Sequence, residues 1–368
     1  MNVCIIGEGL VSLSLAKALI NNNFKVFIYA KSSSRLSSPN RTIGITSSNM
    51  EFFQKEILKI KKNLFWDIYD IDIYNEKNKQ VKILNFNDEN KILFSMVQNK
   101  NLIYLLNREL KKNKNFKKII IKKKSLYRKI LSNQKYDLII NCEENNEIYK
   151  KYFFRKIVKN YKSTAYVSLM NHKRINNKKA TQIFTKKGPI AFLPISKKQT
   201  SVVYSIKNKS INNNFLSQSE FEKLIFKFIK NYKITSIDKF ETFFLKSKIL
   251  KNYYKNNVLA FGDLLHQIHP LSGQGFNMTL RDIRIFLKLI KDRKNLGLSI
   301  DSSILKEFEN KTKHLNFVFS MSNDFIYEFF NYDNFYSKSF SDKIFYYLQN
   351  NRLFNKLAVK YANQGLVF

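Results

Sequence analysis

The sequence predicts an α/β protein in which a domain built on a parallel sheet is interleaved with a sheet-rich second domain and followed by a helical part. The chain opens with a strand, a turn, a helix and a second strand, whereas residues 163–248 are mostly strand-like and the end of the chain is helical in pattern. Glycine adds a third observation. Only 9 of 368 residues are glycine, and five of them lie in two short segments where a strand turns into a helix: Gly7, Gly9, Gly262, Gly273 and Gly275. The chain therefore places its glycines where backbone must turn sharply or approach another group closely.

The N-terminal unit has the order expected of a dinucleotide-binding fold. Residues 2–6 form a short apolar strand, residues 10–22 have apolar positions at helical spacing, and Lys25–Ala30 forms a second strand. The turn between them reads Gly7-x-Gly9-x-x-Ser12. Small residues there let the backbone approach a pyrophosphate, and the helix N-terminus supplies N–H donors and partial positive charge. An ordinary tight turn without a ligand is the alternative.

One part of this pattern is missing. Ala30 stands at the end of the second strand, where an acidic residue commonly binds ribose hydroxyls. Either a residue of the Ser32–Ser34 loop takes that role, or the nucleotide binds more weakly.

The middle of the chain alternates between the two kinds of structure. Residues 66–95 predict an antiparallel strand pair, residues 102–110 a helix and residues 136–142 a buried strand. The lysine- and asparagine-rich runs near 111–124 and 207–214 predict exposed loops or helix ends. We therefore divide the chain into a discontinuous cofactor-binding domain, a substrate domain and a helical C-terminal region. Their ranges are 1–65, 96–160 and 251–290 for the first, 66–95 and 161–250 for the second, and 291–368 for the third.

The second glycine-rich segment is the more specific motif. A buried strand at 258–261 leads into Gly262-Asp263, and after a short gap the chain reads His269-Pro270-Leu271-Ser272-Gly273-Gln274-Gly275-Phe276-Asn277 before a helix to about Lys291. Asp263 can accept hydrogen bonds from a polyol chain such as the ribityl chain of a flavin. The amides that open the helix would face an electron-rich ring edge and stabilise negative charge on a reduced flavin. Pro270 would make the loop rigid, and Asn277 would supply a donor in the first turn.

Other functional classes have weaker support. His266 and His269 are three residues apart, but no Cys, Asp or Glu cluster completes a metal site, so we expect no metal. The formal net charge is +37, yet the lysines are spread along the chain without a nucleic-acid motif, so we expect no nucleic-acid partner. Such a surface also suits anionic lipid head groups. Cys4 and Cys142 lie in apolar runs and predict reduced thiols in a cytoplasmic protein without a membrane-spanning segment.

With these motifs in order, the chain resembles the flavin-dependent aromatic hydroxylases, whose fold is typified by p-hydroxybenzoate hydroxylase. It is most similar to the branch that hydroxylates the ring of ubiquinone precursors. The turn at Gly7 resembles the family's FAD pyrophosphate turn, and the segment after Gly262 resembles its second FAD motif. Further similarities are Arg41 near the pyrophosphate, Asn99 at a polar position on the flavin side, and a Gly188-Pro189 … Leu193-Pro194 stretch that borders the active site.

The resemblance implies an FAD-dependent monooxygenase that uses NADPH or NADH and O₂. The implied substrate is a polyprenylated phenol or quinol, which favours a peripheral membrane contact and possible assembly with other enzymes of ubiquinone biosynthesis. The implied catalytic positions are His269, Pro270, Gly273 and Gln274. The implied FAD-binding positions are Gly7, Gly9, Ser12, Arg41, Asn99, Gly262, Asp263, Gly275, Phe276 and Asn277.

One departure from the family pattern lies after the strand at 136–142. The family has an Asp-Gly motif there, whereas this chain reads Glu143-Glu144. Glu143 can replace the aspartate, but Glu144 cannot adopt glycine's backbone angles freely. With Ala30, this departure supports an alternative hypothesis, a non-catalytic subunit that binds prenyl-quinone intermediates or partner enzymes. A hydroxylase of a soluble aromatic acid is a further alternative.

Overall fold

A computed structural model describes residues 1–31, 41–76, 82–87, 91–208, 216–229, 232–268 and 273–335. The strands in these residues are β1 (Asn2–Ile6), β2 (Lys25–Lys31), β3 (Thr42–Thr46), β4 (Phe65–Ile68), β5 (Asp70–Asn75), β6 (Lys82–Asn87), β7 (Phe94–Gln98), β8 (Phe116–Ile121), β9 (Leu138–Asn141), β10 (Lys156–His172), β11 (Lys179–Thr185), β12 (Gly188–Pro194), β13 (Gln199–Lys207), β14 (Ile234–Ile237), β15 (Glu241–Leu250), β16 (Tyr254–Lys255), β17 (Val258–Ala260) and β18 (His266–Gln267). The α-helices are α1 (Leu10–Asn21), α2 (Ser47–Phe52), α3 (Asn99–Lys111), α4 (Ser125–Ser132), α5 (Glu147–Tyr152), α6 (Gln218–Phe228), α7 (Gly275–Asn295) and α8 (Ser302–Phe335).

A six-stranded sheet organises the N-terminal part of the molecule. Its strand order is β16-β17-β9-β1-β2-β8, and all neighbours are parallel except β16 and β17. The central strands are apolar along most of their length, and all four residues of β9 are buried. This is expected where helices cover both faces of a parallel sheet. Helices α1, α3 and α7 belong to the same hydrophobic core.

The second sheet has nine strands and is almost wholly antiparallel. Its order is β18-β15-β10-β13-β12-β11-β5-β6, with β14 paired to β10, and its one parallel neighbour pair among the described residues is β5 with β11. Helix α6 covers one face, where Phe221 and Ile225 are buried against Tyr166 and Tyr204. A capping box at Ser217 and Glu220 starts that helix.

A small third sheet, in the order β3-β7-β4, lies between these two parts. The Thr42 hydroxyl donates to the Ser201 hydroxyl on β13 at 3.0 Å, and Asn277 on α7 bonds to the backbone of β3. The third sheet therefore fixes the nine-stranded sheet relative to α7.

Helices α7 and α8 pack together over the end of β17. Phe261, Phe286 and Phe308 are wholly buried and have ring centroids 5.5–6.3 Å apart. Further along α8, the Tyr327 hydroxyl lies 3.0 Å from the Ser163 hydroxyl on β10. Helix α8 thus contacts both large sheets. None of the helices described by the structure has both the length and the apolar character that crossing a bilayer requires.

The predicted α/β architecture is confirmed, with a Rossmann-like sheet, an interleaved antiparallel sheet and a helical C-terminal part. The predicted strands and helices of the opening βαβ unit and of the second glycine motif are present with shifts of a few residues at their ends. The interpretation of 111–124 as loop or helix end is wrong, because β8 lies there and pairs with β2. This strand contains the run Lys117-Lys118-Ile119-Ile120-Ile121, whose lysines can reach solvent at the sheet edge. The domain boundaries stay predictions.

Candidate active site at the carboxyl edge of the parallel sheet

The strand order of the six-stranded sheet indicates where a ligand should bind. From β1 the chain moves outward through β2 to β8, and it then returns to the other side of β1 to add β9 and β17. The connections therefore diverge between β1 and β9, and ligands of open α/β sheets bind in the crevice outside the carboxyl ends at such a switch point. Gly7 follows β1, Glu143 follows β9 and Gly262 follows β17. Residues from three distant parts of the sequence thus meet at one edge.

Contacts at two glycines show how closely these segments approach. Gly262 has φ +67°, and a β-carbon there would lie 2.4 Å from Cγ1 of Val11 on α1. Gly7 has φ +119°, and a β-carbon there would lie 2.9 Å from Cγ of Glu143 and 3.0 Å from Oγ of Ser12. Both glycines are required by the fold itself. Ser12 is buried in α1 beside Gly7, as the helix-packing role of the third motif position predicts.

Gly9 and Gly275 differ from this pair. A β-carbon added at either residue would have no side chain or distant backbone atom of the described residues within 4 Å, and neither glycine has a positive φ. Gly9 precedes α1 and Gly275 begins α7. Among the described residues, none fills the space beside the backbone at the start of either helix.

The end of β2 differs from the prediction. The strand continues through Lys31, and Ala30 is wholly buried in the core. Side chains alternate along a strand, so Lys31 projects where Ala30 cannot. Its Nζ lies 3.5 Å from Oε2 of Glu143, and the two side chains are 40% and 23% exposed. The residue at the carboxyl end of β2 is therefore a lysine paired with Glu143.

The backbone after Glu143 also avoids the expected strain. Glu144 is not among the residues with positive φ, whereas Asn145 has φ 62°. Asparagine tolerates this left-handed conformation better than most residues. The Asn146 side chain then accepts from the Tyr149 amide at 2.8 Å and caps α5. The left-handed conformation in this turn is therefore at Asn145 and not at Glu144.

Glu144 has its own cationic partner. Its carboxylate accepts a hydrogen bond from Nζ of Lys248 on β15, and the Lys248 side chain is 4% exposed. Burial lowers the pKa of Lys248, while the charge of Asp263 opposes that shift. Lys248 therefore connects the nine-stranded sheet to the loop after β9.

A cavity of about 430 Å³ lies at this edge. Its charged and polar lining side chains come from both large sheets and their loops: Lys31, Glu143, Glu144, Lys248, Asp263 and Gln267. The Cys142 thiol also lines it, and burial raises the pKa of that thiol to about 12, so the group stays a neutral thiol at physiological pH. The volume and polarity suit part of a nucleotide.

Buried oxygens without hydrogen bonds also point to a ligand. In the part of the chain that the structure describes, Oε2 of Glu143, Oδ1 of Asn99 and Oγ1 of Thr46 are buried and make no hydrogen bond. Such groups are costly unless a partner satisfies them. Asn99 begins α3, and its amide donates to the Arg41 carbonyl at 3.0 Å, so these two predicted residues are neighbours. The residues at this edge therefore fit a dinucleotide.

The structure describes only part of the second glycine-rich motif, namely residues 262–268 and the part from Gly273 onward. Gln274 and Gly275 are at the N-terminus of α7, and Gly273 has φ +60°. Phe276 packs its ring against Phe53, with centroids 6.5 Å apart. The predicted catalytic residues His269 and Pro270 lie outside the described residues.

The Asn277 side chain bonds to the backbone of β3. Its Oδ1 accepts from the Thr46 amide at 3.0 Å, and its Nδ2 donates to the Gly44 carbonyl at 2.9 Å. The side chain is 5% exposed. It therefore positions α7 against β3.

A buried charge cluster lies directly behind the second motif. His266 Nε2 is 2.8 Å from Oδ2 of Asp282, and the Arg281 guanidinium donates to Oδ1 of the same carboxylate at 3.0 Å. Arg281 also donates to Asn316 on α8, whose Nδ2 donates to the Tyr253 hydroxyl at 3.2 Å. Burial by itself would raise the pKa of Asp282, but Arg281 and His266 outweigh it and hold this pKa below its ordinary value. The cluster, with Asp282 ionised, anchors α7 and α8.

Lys31, Lys248 and Gln267 are site residues that the sequence did not identify. The signal for Lys31 was its position directly after Ala30. Lys248 and Gln267 gave no local signal, because the pairing of β15 with β18 brings them to the edge. Within the described ranges, no group of three or more His, Cys, Asp and Glu residues could hold a metal ion.

Comparison with known proteins agrees with this geometry. A family model described as squalene epoxidase matches residues 135–362. The p-nitrophenol 4-monooxygenase PnpA of Pseudomonas putida has a similar structure, with a TM-score of 0.74 and 11% identity over 100% of this chain and 98% of that one. At this identity the likeness shows a shared fold.

Curated relatives match over shorter stretches. The ubiquinone hydroxylase UbiM of Neisseria meningitidis is 28% identical over 155 residues, which cover 41% of this chain and 34% of that protein. The 3-demethoxyubiquinol 3-hydroxylase of Escherichia coli is 26% identical over 150 residues, which cover 40% and 38%. The chain thus spans little more than a third of the length of these relatives.

Proposed function

This chain belongs to the squalene epoxidase family, and from that premise we propose that it is an FAD-dependent monooxygenase that hydroxylates the aromatic ring of a polyprenylated ubiquinone precursor. The observation that carries the proposal is the meeting of Gly7, Glu143 and Gly262 at the switch point of the parallel sheet. The curated relatives named for ubiquinone hydroxylation support the substrate class.

The residues present could hold FAD along this edge. The first-turn amides of α1, beside Gly7 and Gly9, would bind the pyrophosphate. Asp263 would accept hydrogen bonds from ribityl hydroxyls, and the buried Oδ1 of Asn99 would accept one from the flavin side. When bound, FAD supplies the redox and oxygen chemistry, with NADPH or NADH as the electron donor.

The protein would contribute position and electrostatics. Helix α7 has 21 residues, and its N-terminal amides beyond Gly273 would stabilise negative charge on a ligand held there. The cluster of His266, Asp282 and Arg281 keeps that helix end fixed. The region around Gly188–Pro194, on β12 of the nine-stranded sheet, would border the ring of the substrate. A closed site would exclude water from the reaction.

Helix α8 supports a peripheral contact with the membrane. Phe317, Val318, Met321 and Phe325 lie on one face of this helix at helical spacing, and their side chains are 44–70% exposed. Apolar side chains presented in this way on a strongly basic protein suit an anionic bilayer surface. We therefore propose a cytoplasmic protein that takes its insoluble substrate from the membrane. Assembly with other enzymes of the same pathway is part of this proposal.

A non-catalytic binding subunit is the second candidate. The observation that favours it is the Glu143 side chain, which lies directly against Gly7 where the family binds FAD.

Reconstitution separates the candidates. The purified protein, loaded with FAD, would be given NADPH or NADH and a polyprenylated phenol in mixed micelles, with oxygen uptake and product mass as readouts. The monooxygenase predicts substrate-dependent oxygen uptake and a product heavier by one oxygen atom. FAD binding without turnover would favour the non-catalytic subunit, whereas turnover of a soluble hydroxybenzoate alone would favour the soluble-acid enzyme.

A further inference from the structure

We propose that Lys31 is a phosphate-binding residue of the nucleotide site. When the dinucleotide binds, the Lys31 ammonium group leaves Glu143 and pairs with the pyrophosphate. The inference rests on the proposed binding of FAD. It assigns to this chain a way of compensating for the missing acidic residue at the end of β2.

The geometry of the pair is the first argument. Lys31 ends β2 and Glu143 follows β9, and these strands lie on opposite sides of β1. The two side chains therefore reach each other across the end of β1, where Gly7 begins the turn. Cγ and Cδ of Glu143 lie 2.9 and 3.5 Å from the β-carbon position of Gly7. The ammonium group, 3.5 Å from the Glu143 carboxylate, is thus held beside the turn that precedes α1.

Charge is the second argument. The N-terminus of α1 attracts an anion, but the Glu143 carboxylate beside it repels one. Oε2 of Glu143 is buried and makes no hydrogen bond within the described part of the chain, and the Lys31 ammonium group is the cation that compensates its charge. A pyrophosphate carries more negative charge than one carboxylate and has more acceptor oxygens. The ammonium group would therefore move to it when both are present.

A neighbouring pair shows why Lys31 can move. Lys248 pairs with Glu144 in the same cavity, but its side chain is 4% exposed and its strand β15 is paired on both sides. The Lys31 side chain is 40% exposed at a strand end. A long, half-exposed lysine exchanges partners at little cost, because water already solvates part of it.

A different role for Glu143 predicts the opposite result. If Glu143 replaced the missing acid by accepting hydrogen bonds from ribose hydroxyls, its neutralisation would weaken binding. If it acts as the resting partner of Lys31, its neutralisation removes a repulsion and strengthens binding. The sign of the change therefore decides between the two.

The test is a titration of the deflavinated full-length protein with FAD, followed by flavin fluorescence. Lys31→Gln should raise the dissociation constant about tenfold, the loss of one charge-assisted contact, while Lys31→Arg should stay near wild type. Glu143→Gln should lower the dissociation constant about threefold. The affinity of Lys31→Gln should also fall less steeply with added salt than that of the wild type.

Matched controls come from another Lys–Glu pair. The side chains of Lys291 and Glu56 are 45% and 22% exposed, close to the exposures of Lys31 and Glu143, and their charged groups are 2.8 Å apart. Lys291→Gln and Glu56→Gln should leave FAD affinity unchanged, and the unfolding temperature without FAD shows that each variant is folded. Unchanged affinity in Lys31→Gln, or weaker binding in Glu143→Gln, would overturn this inference while leaving the proposed function intact. Failure of the wild type to bind FAD would overturn both.

Discussion

Two charge-rich regions of the molecule are built in opposite ways. At the carboxyl edge of the six-stranded sheet, Glu143 and Glu144 pair with lysines across a cavity, and one carboxylate oxygen has no hydrogen bond within the described residues. Behind α7, the side chains of Asp282 and His266 have no exposed surface and that of Arg281 only 5%. Both carboxylate oxygens of Asp282 accept hydrogen bonds. The Lys31–Glu143 pair at the edge therefore has charges that a ligand can recruit, whereas both oxygens of the buried Asp282 carboxylate are already used.

This difference predicts where a substitution will act. A change in the buried cluster should reduce stability, because it leaves a partner charge in the core without compensation. A change at the half-exposed Lys31 should alter ligand affinity and leave stability nearly unchanged. The predictions below test that division, beginning with the largest effect.

Asp282→Ala should have the largest effect. It leaves Arg281 and His266 buried without their carboxylate, and breaking a buried pair in this way costs about 3–5 kcal/mol. The free energy of unfolding, measured by urea denaturation, should fall by that amount. Glu307→Ala, which removes a 40% exposed carboxylate on α8, is the control and should change stability by less than about 0.5 kcal/mol. Equal effects for the two variants would break the comparison.

Gly262→Ala should have the next largest effect. Gly262 has a positive φ, and the added β-carbon would lie 2.4 Å from Cγ1 of Val11, so α1 or the turn must shift. Such overpacking costs about 1–3 kcal/mol. Gly262→Ala in a Val11→Ala background should recover part of this loss, because the contacting methyl groups are gone. Thermal unfolding of the three variants measures the coupling, and strict additivity would show that the contact is not the cause.

Gly9→Ala should reduce stability less than Gly262→Ala. The space beside Gly9 contains no atom of the described residues, and the change at this helix start should cost less than about 1 kcal/mol. If that space belongs to the ligand, FAD affinity should nevertheless fall. For Gly9→Ala the loss of FAD affinity should be large relative to the loss of stability, and for Gly262→Ala the reverse should hold. This comparison separates a glycine needed by the ligand from one needed by the fold.

Asp301 should give the smallest effect, and one that depends on pH. Hydrogen bonds from Ser303 and Ser299 lower the pKa of Asp301 from 3.8 to about 2. Since the folded state holds the ionised form, this carboxylate stabilises the protein above about pH 4, and the contribution is lost as pH falls towards 2. Between pH 5 and pH 2 the unfolding temperature of the wild type should fall more than that of Asp301→Asn, which can still cap α8 but does not titrate. Parallel curves would contradict this.

Much of the fold could be predicted from local pattern. The strand, turn and helix around Gly7 and Gly262 are specified by apolar runs and scarce glycines, and the structure has them where expected. The β8 strand was missed because lysines at a sheet edge resemble a solvated loop. The assignment of Ala30 to the end of β2 was off by one residue, and a shift of one residue moves a side chain to the other face of a strand.

The site was only partly predictable for a related reason. The motif residues identify which turns approach a ligand, but Lys248 and Gln267 reach the cavity through pairing between distant strands. Asn277, by contrast, belongs to a motif, but the sequence did not reveal its side-chain contacts. Its position in the motif suggested a ligand donor, and its side chain bonds to Gly44 and Thr46, 231–233 residues away.

The central claim is that a flavin dinucleotide binds where β1, β9 and β17 end. The most direct measurement is the FAD affinity and stoichiometry of the wild type beside Gly9→Val, with thermal unfolding of both proteins in the absence of FAD. The account predicts one FAD per chain for the wild type and at least about tenfold weaker binding for Gly9→Val at a similar unfolding temperature. Equal FAD affinity in the two proteins, or no binding by the wild type, would contradict it.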